Sequence, residues 1–146
     1  MKTFIFDTKL LRQKKIKRQI EVSENFTLYN LAEVAVNAYG FSFDHAFGFF
    51  DEITENLMPA SGKRYELFTD IPDVESTGAG SVEHTKVYDV WKKVGDQMMM
   101  LFDYGDDWRF VVELNGFGEA KTQKKFSKVL KKIGEAPEQY PDYEEE

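Results

Sequence analysis

The thirteen residues FDYGDDWRFVVEL at 102–114 decide how the rest of the chain is read. Apolar side chains recur at alternate positions on both sides of Gly105, Asp106 and Asp107: Met98, Met100, Phe102 and Tyr104 before them, Trp108, Phe110, Val112 and Leu114 after. A period of two is the signature of a half-buried strand, and glycine with aspartates is what a tight turn selects. The stretch therefore predicts a β-hairpin. With Gly105, Asp106 and Asp107 as a three-residue loop, Tyr104 faces Trp108, Phe102 faces Phe110, Met100 faces Val112 and Met98 faces Leu114, while Asp103 pairs with Arg109 on the opposite face. A two-residue turn would set Phe102 against Arg109 and Asp103 against Trp108, mixing the faces, so the longer loop is expected. Its glycine comes first, whereas three-residue loops usually place theirs last. Asp106, Asp107 and Trp108 are expected to lie exposed at the tip.

Working outward, residues 4–11 and 15–22 read as two strands joined by a polar turn, with Ile16, Ile20 and Val22 on one face. A helix follows, with Thr27 as N-cap, Phe26 and Leu31 at hydrophobic-staple spacing, a buried stripe of Leu28, Leu31, Ala35 and Ala38, and Gly40 to close it. Residues 43–50 read as a third strand, 54–84 are weakly patterned, and STGAGS at 76–81 reads as a flexible surface loop. Val87, Val90, Trp91 and Val94 predict a short amphipathic helix ending at Gly95, and Phe126, Val129, Leu130 and Ile133 predict another. Pro137 and Pro141 forbid helix beyond it. This order predicts an α+β fold: a mixed, curled β-sheet packed on one main helix, β-grasp-like in element order, with a long β-hairpin in its second half. Residues 1–141 are expected to form one domain and 142–146 an acidic flexible tail.

The run FDYGDDW at 102–108 resembles the plasmid pRiA4b ORF-3-like family, whose hallmark is an aromatic-Asp-aromatic-Gly-Asp-Asp-Trp segment in the second half of the domain. The basic strand KIKRQIEV at 15–22, the helix opening FTLYNLAEVAVNAYGF at 26–41 and DHAFGF at 44–49 fit it too. Many members carry a Trp before the basic strand and a Cys-containing loop after the hairpin. This chain has Gln13 to Lys15 and no cysteine there, so a metal-linked role for that loop is not carried over. The resemblance implies the fold and leaves the activity open.

The absence of cysteine rules out a disulfide scaffold and thiol catalysis and fits a reducing compartment. No stretch approaches the roughly 20 apolar residues of a membrane span, and Asp7 and Lys9 interrupt any leader-like run, so no membrane partner and a cytoplasmic location are expected. A net charge of -7 conceals segregation: Lys14, Lys15, Lys17 and Arg18 form a basic patch on the second strand, and Lys121, Lys124, Lys125, Lys128, Lys131 and Lys132 a second basic stretch. Such stretches suit nucleic acid, or a solvated face, or pairing with the protein's own acidic regions.

The candidate binding site is the hairpin tip, Asp103, Asp106, Asp107, Trp108 and Arg109, with His45 as the titratable group brought from elsewhere. Adjacent Asp106 and Asp107 point different ways on an extended chain and miss the calcium-loop spacing. His45 and His84 lack zinc-ligand spacing, and no phosphate-loop, dinucleotide or nucleophile-elbow motif is present. No metal site, cofactor or catalytic residue is therefore assigned. Alternation buries at least half of Met98 to Met100, which reads as core. The reading is a non-catalytic module with an unidentified protein partner. A nucleic-acid-associated role is the alternative, and a metal-dependent or small-molecule enzyme stands third.

Overall fold

A computed structural model describes residues 1–59, 62–67 and 80–140. Among these residues eight strands are formed: β1 (Lys2–Leu10), β2 (Gln13–Ser23), β3 (Phe47–Phe50), β4 (Arg64–Glu66), β5 (Gly80–Ser81), β6 (Gln97–Phe102), β7 (Trp108–Glu119) and β8 (Ser127–Ile133). The described residues also form two helices, α1 (Leu28–Ala38) and α2 (Val87–Val90). The strands make one open sheet in the order β5-β4-β3-β6-β7-β1-β2-β8. It is mixed, because β4 and β5 run parallel while the other pairs are antiparallel. The expected α+β class holds in this sheet-rich form.

Side-chain alternation gives the sheet two different faces. Phe4, Phe6, Ile20, Val22, Met98, Met100, Phe102, Phe110, Val112 and Leu114 pack under Leu28, Leu31 and Ala35 of α1 in the main core. Each such fully buried Phe, Leu or Met contributes roughly 1.5–3 kcal/mol. On the reverse face a smaller cluster joins Leu11, Phe50, Met99, Leu101 and Val111, so all three consecutive methionines are buried.

Helix α1 forms where its local signals say it should. Thr27 accepts from the Asn30 amide while the Asn30 side chain accepts from the Thr27 amide, closing a capping box. Gly40, at φ 77°, terminates the helix. The remaining helix expectations are corrected. Helix α2 is a single turn, and Trp91 leaves it in extended conformation to bury its ring while Val94 stays exposed. Residues 127–133 are strand β8, hydrogen-bonded to β2. A bulge between Gln19 and Ile20 makes Leu130 an extra residue, and an interrupted alternation mimics helical spacing. Of the third strand, 47–50 pairs in the sheet and 43–46 is irregular.

The expected loop at 76–81 lies outside the described residues except for Gly80 and Ser81, which pair with Tyr65 and Glu66. Of the expected tail, all of 142–146 lies outside them. Among the described residues no helix is long and apolar enough to cross a membrane.

Candidate functional site

The hairpin forms with the expected face inward but a longer loop. Phe102 pairs with Trp108, Met100 with Phe110 and Met98 with Val112, leaving residues 103–107 as a five-residue connection. This register is two residues from the expected one, and a two-residue slip keeps every side chain on its face. The loop closes through a 2.6 Å bond from the Asp107 amide to the Asp103 carbonyl. Its left-handed residues are Asp103 (φ 61°) and Asp107 (φ 60°) rather than Gly105. Aspartate is among the few non-glycine residues that tolerate this region, which is why the glycine need not come last.

Each tip residue then takes a position that the sequence did not separate. Arg109 pairs with Asp107, its Nε donating to Oδ1 at 2.7 Å, and not with Asp103. The Arg109 guanidinium is buried on the reverse face, where it also donates to the carbonyls of Thr54 and Leu57. Arg12 reaches the same aspartate from the β1–β2 turn, donating to Asp107 Oδ2 at 2.6 Å, and holds the Glu55 carbonyl. Desolvation works to raise the Asp107 carboxyl, but the bonds from Arg109 and Arg12 outweigh it and hold the group below the usual carboxylate value. Asp107 is thus half-buried and clamped, not a free tip acid. Trp108, expected to be exposed, packs on Phe41 with ring centroids 4.7 Å apart, and its Nε1 is buried with no hydrogen-bond partner among the described residues.

Asp103, Asp106 and His45 form a second group at the tip. Asp103 is buried; its Oδ1 accepts from the Asp106 amide at 3.2 Å and its Oδ2 lies 3.3 Å from His45 Nε2. The same nitrogen lies 2.6 Å from the Tyr140 hydroxyl, which donates to Asp44. A hydroxyl that gives its proton to Asp44 must accept from His45, so the network assigns a proton to Nε2. Partial desolvation, then the Asp44 bond and the fields of Asp103 and Asp106, push Tyr140 up to about 12. Tyr104 lies across Gly48, where a Cβ would come within 2.9 Å of its hydroxyl, and donates to Glu66 at 3.1 Å. Partial desolvation of the hydroxyl first, and then the Glu66 charge, raise its pKa, although the residue as a whole is exposed. A cavity of about 100 Å³ at the tip is lined by Arg12, Asp106, Asp107, Trp108 and Arg109 and does not extend to His45.

Strand pairing brings the two basic stretches together. β8 lies beside β2, with Lys131 opposite Gln19, Lys132 opposite Arg18 and Lys128 opposite Glu21. Lys14, Lys15 and Lys17 are exposed. Arg18 is not part of that surface. It is buried, donates to the carbonyls of Ala38, Lys17, Ile133 and Gly134, and lies over the Tyr39 ring at 4.9 Å. Its parity with Ile16, Ile20 and Val22 was the signal: it falls on the core side of β2.

Sequence reading missed Asp44 and Tyr140, and it missed a polar groove on the reverse face of β6, β7, β1, β2 and β8. Neither the contact of 44 with 140 nor the pairing of β1 with β7 leaves a local signal. Among the described residues no group of three or more His, Cys, Asp or Glu is arranged to hold a metal.

The model of the plasmid pRiA4b ORF-3-like protein family matches residues 5–141, nearly the whole chain. The chain belongs to that family. As a family member it is also similar to the crystal structure of a protein of unknown function from Methanosarcina mazei Go1, with a TM-score of 0.70 at 17% identity, covering 93% of this chain and 71% of that one. A likeness at that identity carries the fold alone. No curated protein matches the chain.

Proposed function

We propose that this pRiA4b ORF-3-like protein is a non-catalytic interaction module that contacts a protein partner through the hairpin tip and the loop fastened to it. The observation that carries the reading is the tether: Arg12 and Arg109 hold both Asp107 and the carbonyls of Thr54, Glu55 and Leu57. Leu57 and Met58, 72% and 56% exposed, are thereby fixed at the end of the molecule that carries exposed Tyr104 and Asp106. Apolar anchors within a polar rim are the composition of a protein-binding surface. The matching partner presents a cationic side chain to Asp106 and Asp44 beside an apolar patch. The β-grasp-like element order is an analogy and carries no weight here. Zero cysteines support a cytoplasmic setting for this contact.

The test is a pair of matched affinity captures from native lysate, one with the unaltered protein and one with Leu57→Ser and Asp106→Asn combined. Both positions are exposed, so the variant is expected to fold and to lose a partner that the unaltered bait retains. Recovery of the same partners by both baits would remove the tip from the proposal. A nucleic-acid role is the second reading, supported by the pairing of β2 with β8, which gathers Lys14, Lys15, Lys17, Lys128, Lys131 and Lys132 at one edge of the sheet.

A further inference from the structure

The reverse face of the sheet carries two aligned rows of side chains that share none of the tip residues. Register places Gln97, Glu113, Asp7, Gln19 and Lys131 side by side across β6, β7, β1, β2 and β8. Two residues further along the strands, Met99, Val111, Lys9, Lys17 and Ile133 form the next row. All of these residues except Met99 line a groove of about 380 Å³. That volume suits a small molecule rather than a macromolecule.

The partners within the groove are distributed unequally. Asp7 accepts from the Gln19 amide at 2.8 Å and from the Asn115 amide at 2.6 Å, and Glu113 accepts from Gln97 at 2.6 Å. Both carboxylates are held by neutral amides. The lysines have no such partner: among the described residues Lys9, Lys17 and Lys131 form no ion pair. Lys9 stands directly opposite Lys17, an arrangement in which like charges repel. Two lysines at facing register positions, with Lys131 diagonal to Lys17, line the same concave polar site, an arrangement suited to an anion.

We propose that this groove binds a small hydroxyl-bearing phosphate ester, its phosphate between Lys9, Lys17 and Lys131 and its hydroxyls against Asp7, Glu113 and the amides. Asp7 and Glu113 retain lone pairs that accept from hydroxyls and repel a second phosphate. The rows are roughly 6.6–6.8 Å apart, two strand residues, which matches a compact ester and not a polyanion laid across both rows. A nucleic-acid backbone crossing the groove would meet the two carboxylates.

The experiment is titration of the full chain with inorganic phosphate, glucose 6-phosphate and adenosine monophosphate, with glucose at matched ionic strength as control. Amide resonances and melting temperature are the two readouts. Expected is saturable binding of at least one ester, tighter than phosphate or glucose, with shifts confined to residues 7–9, 17–19, 97, 111–115 and 131–133. Lys9→Gln with Lys17→Gln should weaken it about tenfold or more, the cost of one charge-assisted bond. The same double variant should be no less stable without ligand, because it removes a like-charge pair, whereas Lys14→Gln should leave binding unchanged. No saturable response to either ester, a response equal to that of glucose, or binding that survives the double substitution would overturn the proposal.

Discussion

Asp107→Asn separates a clamped aspartate from an exposed one on the same loop. The change leaves the Arg109 guanidinium, 4% exposed, with two backbone carbonyls and no carboxylate. A bond between charged groups at such a site is worth roughly 1.5–3 kcal/mol. The Arg12 pair is solvent-exposed, with the two side chains 42% and 33% accessible, and adds about 0.2–1 kcal/mol. The expected loss is therefore roughly 2–4 kcal/mol, read as a lower urea midpoint at unchanged slope, or as a fall of about 6–12 °C in melting temperature. Asp106→Asn, on an exposed side chain, should stay within about 0.5 kcal/mol. The pH dependence gives an independent check. Because the folded carboxyl of Asp107 lies below its unfolded value, the contribution is complete above about pH 4 and is lost as pH falls through the folded value. The gap between the unaltered protein and Asp107→Asn should accordingly narrow in acid. An Asp107→Asn variant as stable as Asp106→Asn at neutral pH would refute the clamp.

Arg18→Gln should cost roughly 3 kcal/mol or more in urea unfolding, since it strips the guanidinium from the Ala38, Ile133 and Gly134 carbonyls; a surface-like effect under about 0.5 kcal/mol would contradict its structural role. For that reason a charge-reversal test of nucleic-acid binding uses Lys14, Lys15 and Lys17 to Glu and leaves Arg18 intact. Duplex binding by the unaltered protein at physiological salt is expected to be no tighter than on the order of 10⁻⁴ M, and submicromolar binding lost in that triple variant would put the second reading first. Millimolar Mg²⁺, Ca²⁺ or Zn²⁺ should leave the melting temperature unchanged, whereas a specific site filled to about 100 times its dissociation constant would add roughly 2.7 kcal/mol.

What could be read in the sequence is what local chemistry dictates. Thr27, Asn30 and Gly40 begin and end α1 with bonds spanning a few residues, and the hydrophobic face of the 97–119 hairpin follows from parity alone. The loop length did not follow, because the left-handed positions went to Asp103 and Asp107, which tolerate them, instead of to the glycine. Partner choice at the tip was equally hidden. Whether Arg109 meets Asp103 or Asp107 depends on that register, and the carbonyls that share the guanidinium come from residues 54 and 57, about fifty positions earlier. The reverse-face rows depend on β1 pairing with β7 and β2 with β8, contacts across more than 100 residues. Alternation with Ile16, Ile20 and Val22 sets Lys17 and Gln19 away from the core, but only topology makes them neighbours of Asp7 and Lys9.

The most direct test of the interaction module is photo-crosslinking in cells from position 105. Gly105 is exposed and a Cβ there meets only Asp103 Oδ1, at an ordinary 3.5 Å, which makes it the place on the loop to introduce a benzophenone side chain. The account predicts a discrete crosslinked species from position 105 that is absent when the same group replaces Lys128 on the edge strand β8, and that is lost on adding Leu57→Ser and Asp106→Asn. Crosslinks from position 128 alone, or none from 105 in a protein that remains folded, would contradict it.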